Sequence, residues 1–438
     1  MLTAGPPDDA PIDEHELAGL FEDLCRYKTL IIAVSGGADS TALMYLLARW
    51  VQGADRIASK SPLPRLVVAT VDHGLRPEST SEAQAVARCA ETFGLPHTIL
   101  AWRHDAKPAT GVQAAARAAR YGLLEDHALG YPAPAIVTAH HQDDQAETVL
   151  MRLARGSGLD GLAGIRRSRL ADAGTPVPRE RPLLELPKAR LAATLKTHGM
   201  TWCEDPSNEN PAFERVRWRA AWPRLADLGL TAEPIARSAA RLERARQALA
   251  VVADGAWNRL AGINQGMFAT LSRPQFDTEP EEIRLRLLMR ALAAFGGVGK
   301  PPSLAQAEDL LAALSTNAFA TKTLAGCQIE REAGQILVFR EPGRHGLPGQ
   351  SLEPGTGLVW DNRFEVALSA DFNVAPGTRG IVRALGPDGL SALRQQVDDM
   401  SLPARIAMTL PSLWIGERPV SVPHLGHNIP GFTIRFLW

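Results

Sequence analysis

Six residues, Ser35-Gly36-Gly37-Ala38-Asp39-Ser40, end the apolar run Leu30–Val34 and open a new apolar periodicity. Two glycines let successive backbone N–H groups converge, and the helix that follows turns its positive end toward them, which makes an anion site. Ser35 and Ser40 add hydroxyl donors. The Gly-x4-Gly-Lys-Ser/Thr form of phosphate loop is absent, which argues against γ-phosphoryl transfer by that route. Asp39 puts a carboxylate where phosphate is expected. A cation has to lie between the two, so Mg²⁺ at Asp39 is the expected metal; the plainer alternative is that Asp39 caps the helix.

A second cluster, TAHHQDDQAET, spans 138–148. On a helix starting near Asp143, Ala146, Val149, Leu150 and Leu153 form the buried stripe. Asp144 and Glu147 are three residues apart and share another face. Two carboxylates there suit an ammonium ion; acids in a first helical turn also occur for the helix dipole alone. Of the adjacent pair His140 and His141, His140 is favoured as the site residue and the other as structural. Arg117 and Arg120 lie one turn apart, while Asp72 and His73 end a strand, for a nucleotide contact or a turn. Arg152, Arg155, Arg166, Arg167 and Arg169 alternate with glycines, a pattern suited to a phosphate backbone. Arg181, Arg215, Arg217 and Arg219 extend it.

The elements that position these groups follow from β-rich runs at 29–34, 65–71, 97–102 and 135–140, with helical patterns near 40–52, 79–93 and 112–130. Continuous apolar strands alternating with helices predict a doubly wound, mostly parallel α/β sheet of Rossmann-like type. Every polar cluster follows a strand, the edge where such sheets bind ligands. Residues 232–315 read as helices, and the chain beyond about 340 as short strands. The expected division is a catalytic domain over 1–225, a helical domain over 226–340 and a small β-rich domain over 341–438. Residues 1–151 hold 12 Lys/Arg against 19 Asp/Glu, whereas 152–246 hold 18 against 11. That basic middle suggests an anionic partner. Four scattered cysteines exclude a disulfide scaffold and a zinc ribbon. No apolar run reaches membrane-spanning length and the N-terminus does not read as a signal peptide, so a cytoplasmic protein is expected.

The loop resembles the PP-loop ATP pyrophosphatases. Taken with VDHGLRPES, GVQAAARAARYGLL, TAHHQDDQAETVLMRLARGSGLDGL, RPLL and EDPSN in this order, the stretch Lys28–Trp222 is similar to the tRNA(Ile)-lysidine synthases. The resemblance implies a two-step reaction. ATP adenylates the C2 carbonyl oxygen of the wobble cytidine in a CAU-anticodon isoleucine tRNA, and free L-lysine then displaces AMP. It further implies ATP-binding by Ser35, Gly36, Gly37, Ala38, Asp39 and Ser40, and lysine-binding by Asp144 and Glu147. Catalytic roles fall to Asp39, Arg117, His140, Asp144 and Glu147, with tRNA contacts from Arg155, Arg181, Arg215 and Arg219. Val216 departs from the family pattern, where asparagine is expected. A homodimer is one admissible assembly. Three competing readings fit less well. Thiolation of tRNA would need cysteines near the site, a small-molecule synthetase leaves the basic middle unexplained, and a nucleotide-binding regulator gives no reason for three carboxylates.

Overall fold

The computed structural model describes residues 9–53, 62–74, 78–103, 112–171, 175–204, 214–299, 301–316, 318–372, 379–394 and 402–438. The EDPSN motif, except for Glu204, lies outside them. The chain divides into two compact units, Met1–Arg246 and Gln247–Trp438.

The first unit opens with α1 (Glu14–Leu20), then β1 (Thr29–Ala33), α2 (Ala38–Gln52), β2 (Arg65–Asp72), α3 (Ser79–Thr92), β3 (His97–Ala101) and α4 (Val112–Ala128). There follow β4 (Pro134–Val137), α5 (Gln142–Leu153), α6 (Leu159–Leu162), β5 (Ser168–Arg169), β6 (Arg179–Glu180), α7 (Lys188–Thr197), α8 (Glu214–Asp227) and α9 (Ala232–Leu260), the helix that runs on into the second unit. The sheet order is β3-β2-β1-β4-β6-β5, parallel apart from the β5/β6 pair. Leu30, Ile32 and Val68 pack with Leu43, Met44, Val86, Leu191 and Leu195 on one face. Ile31, Ala33, Val67 and Ile136 pack with Leu124 and Ala128 on the other. A strand covered on both faces needs apolar residues at every position, hence the continuous runs in the sequence.

Strand order reverses between β1 and β4. In an open α/β sheet that reversal leaves a crevice at the carboxyl ends of the two strands. The glycine loop leaves β1 there and the double-histidine segment leaves β4. α5 is anchored behind the crevice by Ala146, Val149 and Leu150, which pack on Ile235 and Ala239 of α9 and Trp218 and Trp222 of α8. Leu153 does not join this stripe. It is the last residue of α5 and is 57% exposed, because the chain turns away before the next helical contact.

In the second unit, a segment expected to be helical holds a β-hairpin, β7 (Ala261–Asn264) and β8 (Phe268–Ser272). Gln265 and Gly266, in the three-residue connection between Asn264 and Phe268, both take positive φ, 46° and 77°. α10 (Arg273–Thr278), α11 (Glu281–Phe295) and α12 (Leu304–Leu314) follow. β9 (Thr321–Leu324), β10 (Cys327–Glu332) and β11 (Gln335–Arg340) then complete a five-stranded sheet, β7-β8-β11-β10-β9. Beyond it the described chain forms small antiparallel sheets of four and three strands. No described helix is long and apolar enough to cross a membrane.

Candidate active site

The loop between β1 and α2 is held from inside. Gly36 has φ +89°, its carbonyl accepts from the Cys203 N–H at 2.9 Å, and a Cβ there would meet Val86 Cγ2 at 3.3 Å. Ser40 Oγ donates to the Gly37 carbonyl at 3.0 Å and accepts from the Ser35 N–H at 3.1 Å. Gly37 caps α2 with no side-chain hydrogen bond, which leaves the first amides of the helix open to an anion. A cavity of about 430 Å³ abuts the loop, bounded by Gly36, Met44, Val86, Cys89 and Cys203. None of the candidate carboxylates lines it.

Asp39, in the first turn of α2, does not cap that helix. Its Oδ2 lies 3.4 Å from His141 Nε2 and 3.9 Å from Lys188 Nζ. Burial alone would raise its pKa, but the His141 hydrogen bond and the charges of His141, Lys188 and Arg219 hold it below the usual carboxylate range. Asp39 Oδ1 is buried with no hydrogen-bond partner among the described residues. A buried carboxylate oxygen left bare is costly, so this atom suits a cation ligand. No group of three or more His, Cys, Asp or Glu side chains able to hold a metal occurs among the described residues. A metal here therefore needs the substrate's phosphates as co-ligands.

The two histidines of the pair sit in different environments. His141, 2% exposed, is the hub: Nε2 lies 3.5 Å from Asp144 Oδ2 and Nδ1 lies 3.5 Å from Asp143 Oδ2. Burial would lower its pKa, yet hydrogen bonds to Asp143 and Asp39 and the charge of Asp144 push it up to about 10. As an imidazolium both ring nitrogens donate, so the 3.4 Å approach of the Asp144 N–H to Nδ1 would be a cap only for the neutral ring. The reverse bond, from the His141 N–H to Asp144 Oδ2 at 3.3 Å, survives in either form. Asp143 Oδ2 accepts from the Lys188 N–H at 2.9 Å and so ties α5 to the start of α7. The adjacent Asp143 and Asp144 are the sequence signal that could have identified His141; nothing comparable marked Lys188.

His140 is the neutral member. Its Nδ1 pairs with Thr138 Oγ1 at 2.9 Å, and burial together with Arg181, Arg117, Arg120 and Arg215 holds it well below the usual histidine pKa. Arg117 is exposed over the Tyr121 ring at 5.3 Å, with Arg179 at 3.9 Å from the same ring. Asp72 stabilises a turn: it accepts from the Gly74 N–H, Ser79 Oγ and Thr80 Oγ1 at 3.0, 2.6 and 2.7 Å.

Asp144 and Glu147 do share a face of α5, and Glu147, 3% exposed, is bound by an arginine. Arg219 Nε and Nη2 reach Glu147 Oε1 and Oε2 at 2.5 and 3.2 Å. Arg219, expected on an open RNA surface, is instead engaged by the acidic cluster. Arg181 also departs from that expectation. It is 8% exposed and donates to the Arg166 carbonyl at 2.8 Å, so its guanidinium is turned into the protein beside His140. Arg155 is exposed and pairs with Glu214, and Arg215 is half-buried. Arg152 and Arg167 are structural: Arg152 Nη1 donates to the Gly161 and Gly164 carbonyls at 2.7 and 2.8 Å, and Arg167 Nη1 to the Pro182 carbonyl at 2.9 Å. Gly164, at φ +73°, allows Gln145 to lock this loop to α5, since a Cβ would lie 2.5 Å from Gln145 Oε1.

The PP-loop domain family matches residues 10–224. A tRNA(Ile)-lysidine synthase from Bradyrhizobium diazoefficiens is 44% identical over 77% of this chain and 96% of its own length. That from Rhodopseudomonas palustris is 43% identical over 77% and 98%, and that from Ruegeria pomeroyi 38% identical over 91% and 89%.

Proposed function

The chain belongs to the tRNA(Ile)-lysidine synthase family, and from that premise we propose that the β1/β4 crevice carries out the whole ligation. The enzyme is an ATP-dependent carbon–nitrogen ligase acting on isoleucine tRNA. One observation carries the assignment of its steps: Asp39, Asp144 and Glu147 converge around His141 and Arg219 at the switch point, beside the neutral, arginine-flanked His140.

In the first step the C2 carbonyl oxygen of the CAU-anticodon wobble cytidine attacks the α-phosphorus of ATP, and pyrophosphate leaves. The open amides of Gly37, Ala38 and Asp39, with the Ser35 hydroxyl, hold the leaving phosphates, while Ser40, expected to bind ATP directly, braces the loop through the Gly37 carbonyl. Mg²⁺ fits the bare Oδ1 of Asp39, where it would screen that carboxylate from the phosphates. Arg117 offsets the charge of the adenylate, and His140 lies neutral against the base. In the second step the side-chain amine of free L-lysine attacks C2 and AMP departs. A carbonyl oxygen is a poor leaving group and AMP a good one, which is why the adenylate has to come first. Asp144 and Glu147 orient the ammonium, and its proton passes to a carboxylate oxygen before attack.

A single target base has to leave its stack, and an anticodon loop allows this at low cost. Arg155 and Arg215 would meet the RNA backbone, and segments 226–340 and 341–438 would hold other parts of the tRNA. These substrates put the reaction in the cytoplasm. A homodimer is compatible with the chemistry but not needed for it, since every group named lies in one chain.

The test is incubation with ATP, Mg²⁺, radiolabelled lysine and tRNA transcripts that differ in the wobble base. Label confined to the CAU-anticodon isoleucine transcript is expected; equal labelling of other transcripts, or none, rejects the assignment.

A further inference from the structure

The lysine subsite of the preceding proposal is already filled, by the protein's own cation. Glu147 is buried, and both its oxygens are bound by Nε and Nη2 of Arg219. The Arg219 guanidinium also feels the charges of Asp144 and Asp39. It thus sits among Asp39, Asp144 and Glu147, the last two being the carboxylates to which a substrate ammonium would come. The two partners differ in freedom: the side chain of Glu147 is 4% exposed and that of Arg219 is 39% exposed. α8, which carries Arg219, is pinned to α5 by Trp218 and Trp222, so exchange at Glu147 can proceed by rotation of one long side chain without moving the helix.

We propose that Arg219 is a displaceable stand-in for the substrate ammonium, holding Glu147 until free lysine takes its place. The physical reason is the cost of a buried carboxylate with no counter-cation, which a free enzyme otherwise carries between turnovers. An internal guanidinium satisfies Glu147 in the free enzyme, and lysine enters by competing with it. Only a ligand that brings its own cation to Glu147 can release the arginine, so Arg219 is a specificity-determining residue that discriminates against neutral amines and water. The released guanidinium carries its charge into a crevice that then holds phosphate.

This inference rests on Glu147 being the lysine partner, and the experiment separates the two claims. Lysine KM is measured for wild type, Arg219→Gln and Glu147→Gln at saturating ATP and tRNA, with tRNA KM alongside. If the competent, arginine-free subsite is populated about 10% of the time, removing the competitor lowers lysine KM roughly tenfold. A structural or RNA-binding role predicts the opposite, an unchanged or raised lysine KM, with RNA binding also raising tRNA KM; either result overturns the proposal. Glu147→Gln raises lysine KM if the underlying assignment holds. If it does not, proposal and premise fall together; if it does while Arg219→Gln fails to lower KM, only the displacement is rejected. A measurement on the unaltered chain covers the case in which Arg219→Gln does not fold. The Arg219 Nε–H resonance, followed by NMR during titration with L-lysine, is expected to shift saturably and to keep its position with norleucine. No response to lysine overturns the displacement.

Discussion

Replacing Gly36 by alanine is expected to damage the loop in two separable ways. An L-residue at φ +89° costs about 1–2 kcal/mol from its own backbone. The added methyl meets Val86 Cγ2 at 3.3 Å and Cys203 Sγ at 3.6 Å, a few tenths of an ångström inside comfortable contact at the first. If the backbone yields, the bonds from the Cys203 N–H and Thr41 Oγ1 to the Gly36 carbonyl, 2.9 and 3.3 Å, lengthen with it. A total near 2 kcal/mol, at roughly 2–4 °C per kcal/mol, lowers Tm by about 4–8 °C. A shift of the phosphate-holding amides by about 1 Å costs on the order of 100-fold in pyrophosphate release. Gly37→Ala is the control for strain, because Gly37 has φ −72° and its Cβ would meet only Ser35 Oγ, at 3.9 Å. It is expected to keep the melting temperature while ATP use falls, since the new methyl faces the anion site. The assays are a thermal melt and a coupled pyrophosphate assay on the same preparations. A Gly36→Ala protein that melts within about 1 °C of wild type and releases pyrophosphate at the wild-type rate rules out a strained, closely packed Gly36 that positions the phosphate-holding amides.

Asp39→Asn is expected to fold yet lose pyrophosphate release, since the amide keeps the shape but not the charge beside the phosphates; retained release argues against a role in adenylation. Arg152→Ala removes charged hydrogen bonds to the Gly161 and Gly164 carbonyls and is expected to cost about 3 kcal/mol in stability. The salt dependence of its tRNA affinity is expected to stay at the wild-type slope, whereas a slope smaller by about 1 marks a lost phosphate contact. His140 has its folded pKa held well below 6.5, so its effect on stability is absent above that pH. As pH falls toward the folded value, the unfolded chain takes a proton that the folded chain refuses, and stability drops. Melting curves from pH 7.5 to 5 are expected to fall more steeply for wild type than for His140→Gln; parallel curves contradict the neutral assignment.

The sheet was legible because burial on both faces leaves an unambiguous apolar signature. Strands were expected at 29–34 and 65–71, and β1 and β2 occupy Thr29–Ala33 and Arg65–Asp72. The β7/β8 hairpin was missed because its turn residue Gln265 is not a usual positive-φ residue; only Gly266 between apolar runs signalled it. Residue types at the site were legible, but partners were not. That Glu147 faces Arg219, 72 positions away, follows from α8 docking on α5 through tryptophans that carry no label of their destination. The same holds for His141, whose pKa is set by Asp39 of another element as much as by its neighbours in sequence. Arginines looked alike in the basic middle segment; burial separates Arg181 from Arg155.

In the reaction proposed above, adenylation precedes lysine attack and does not require lysine, because the groups for the two steps are distinct. The direct measurement is incubation with ATP labelled at the α-phosphate and CAU-anticodon isoleucine tRNA without lysine, followed by a lysine chase. Wild type is expected to place AMP on the tRNA and to release it when lysine is added, while Asp144→Ala forms the same labelled tRNA but discharges it slowly. Absence of labelled tRNA with pyrophosphate release strictly dependent on lysine, or wild-type discharge by Asp144→Ala, contradicts the account.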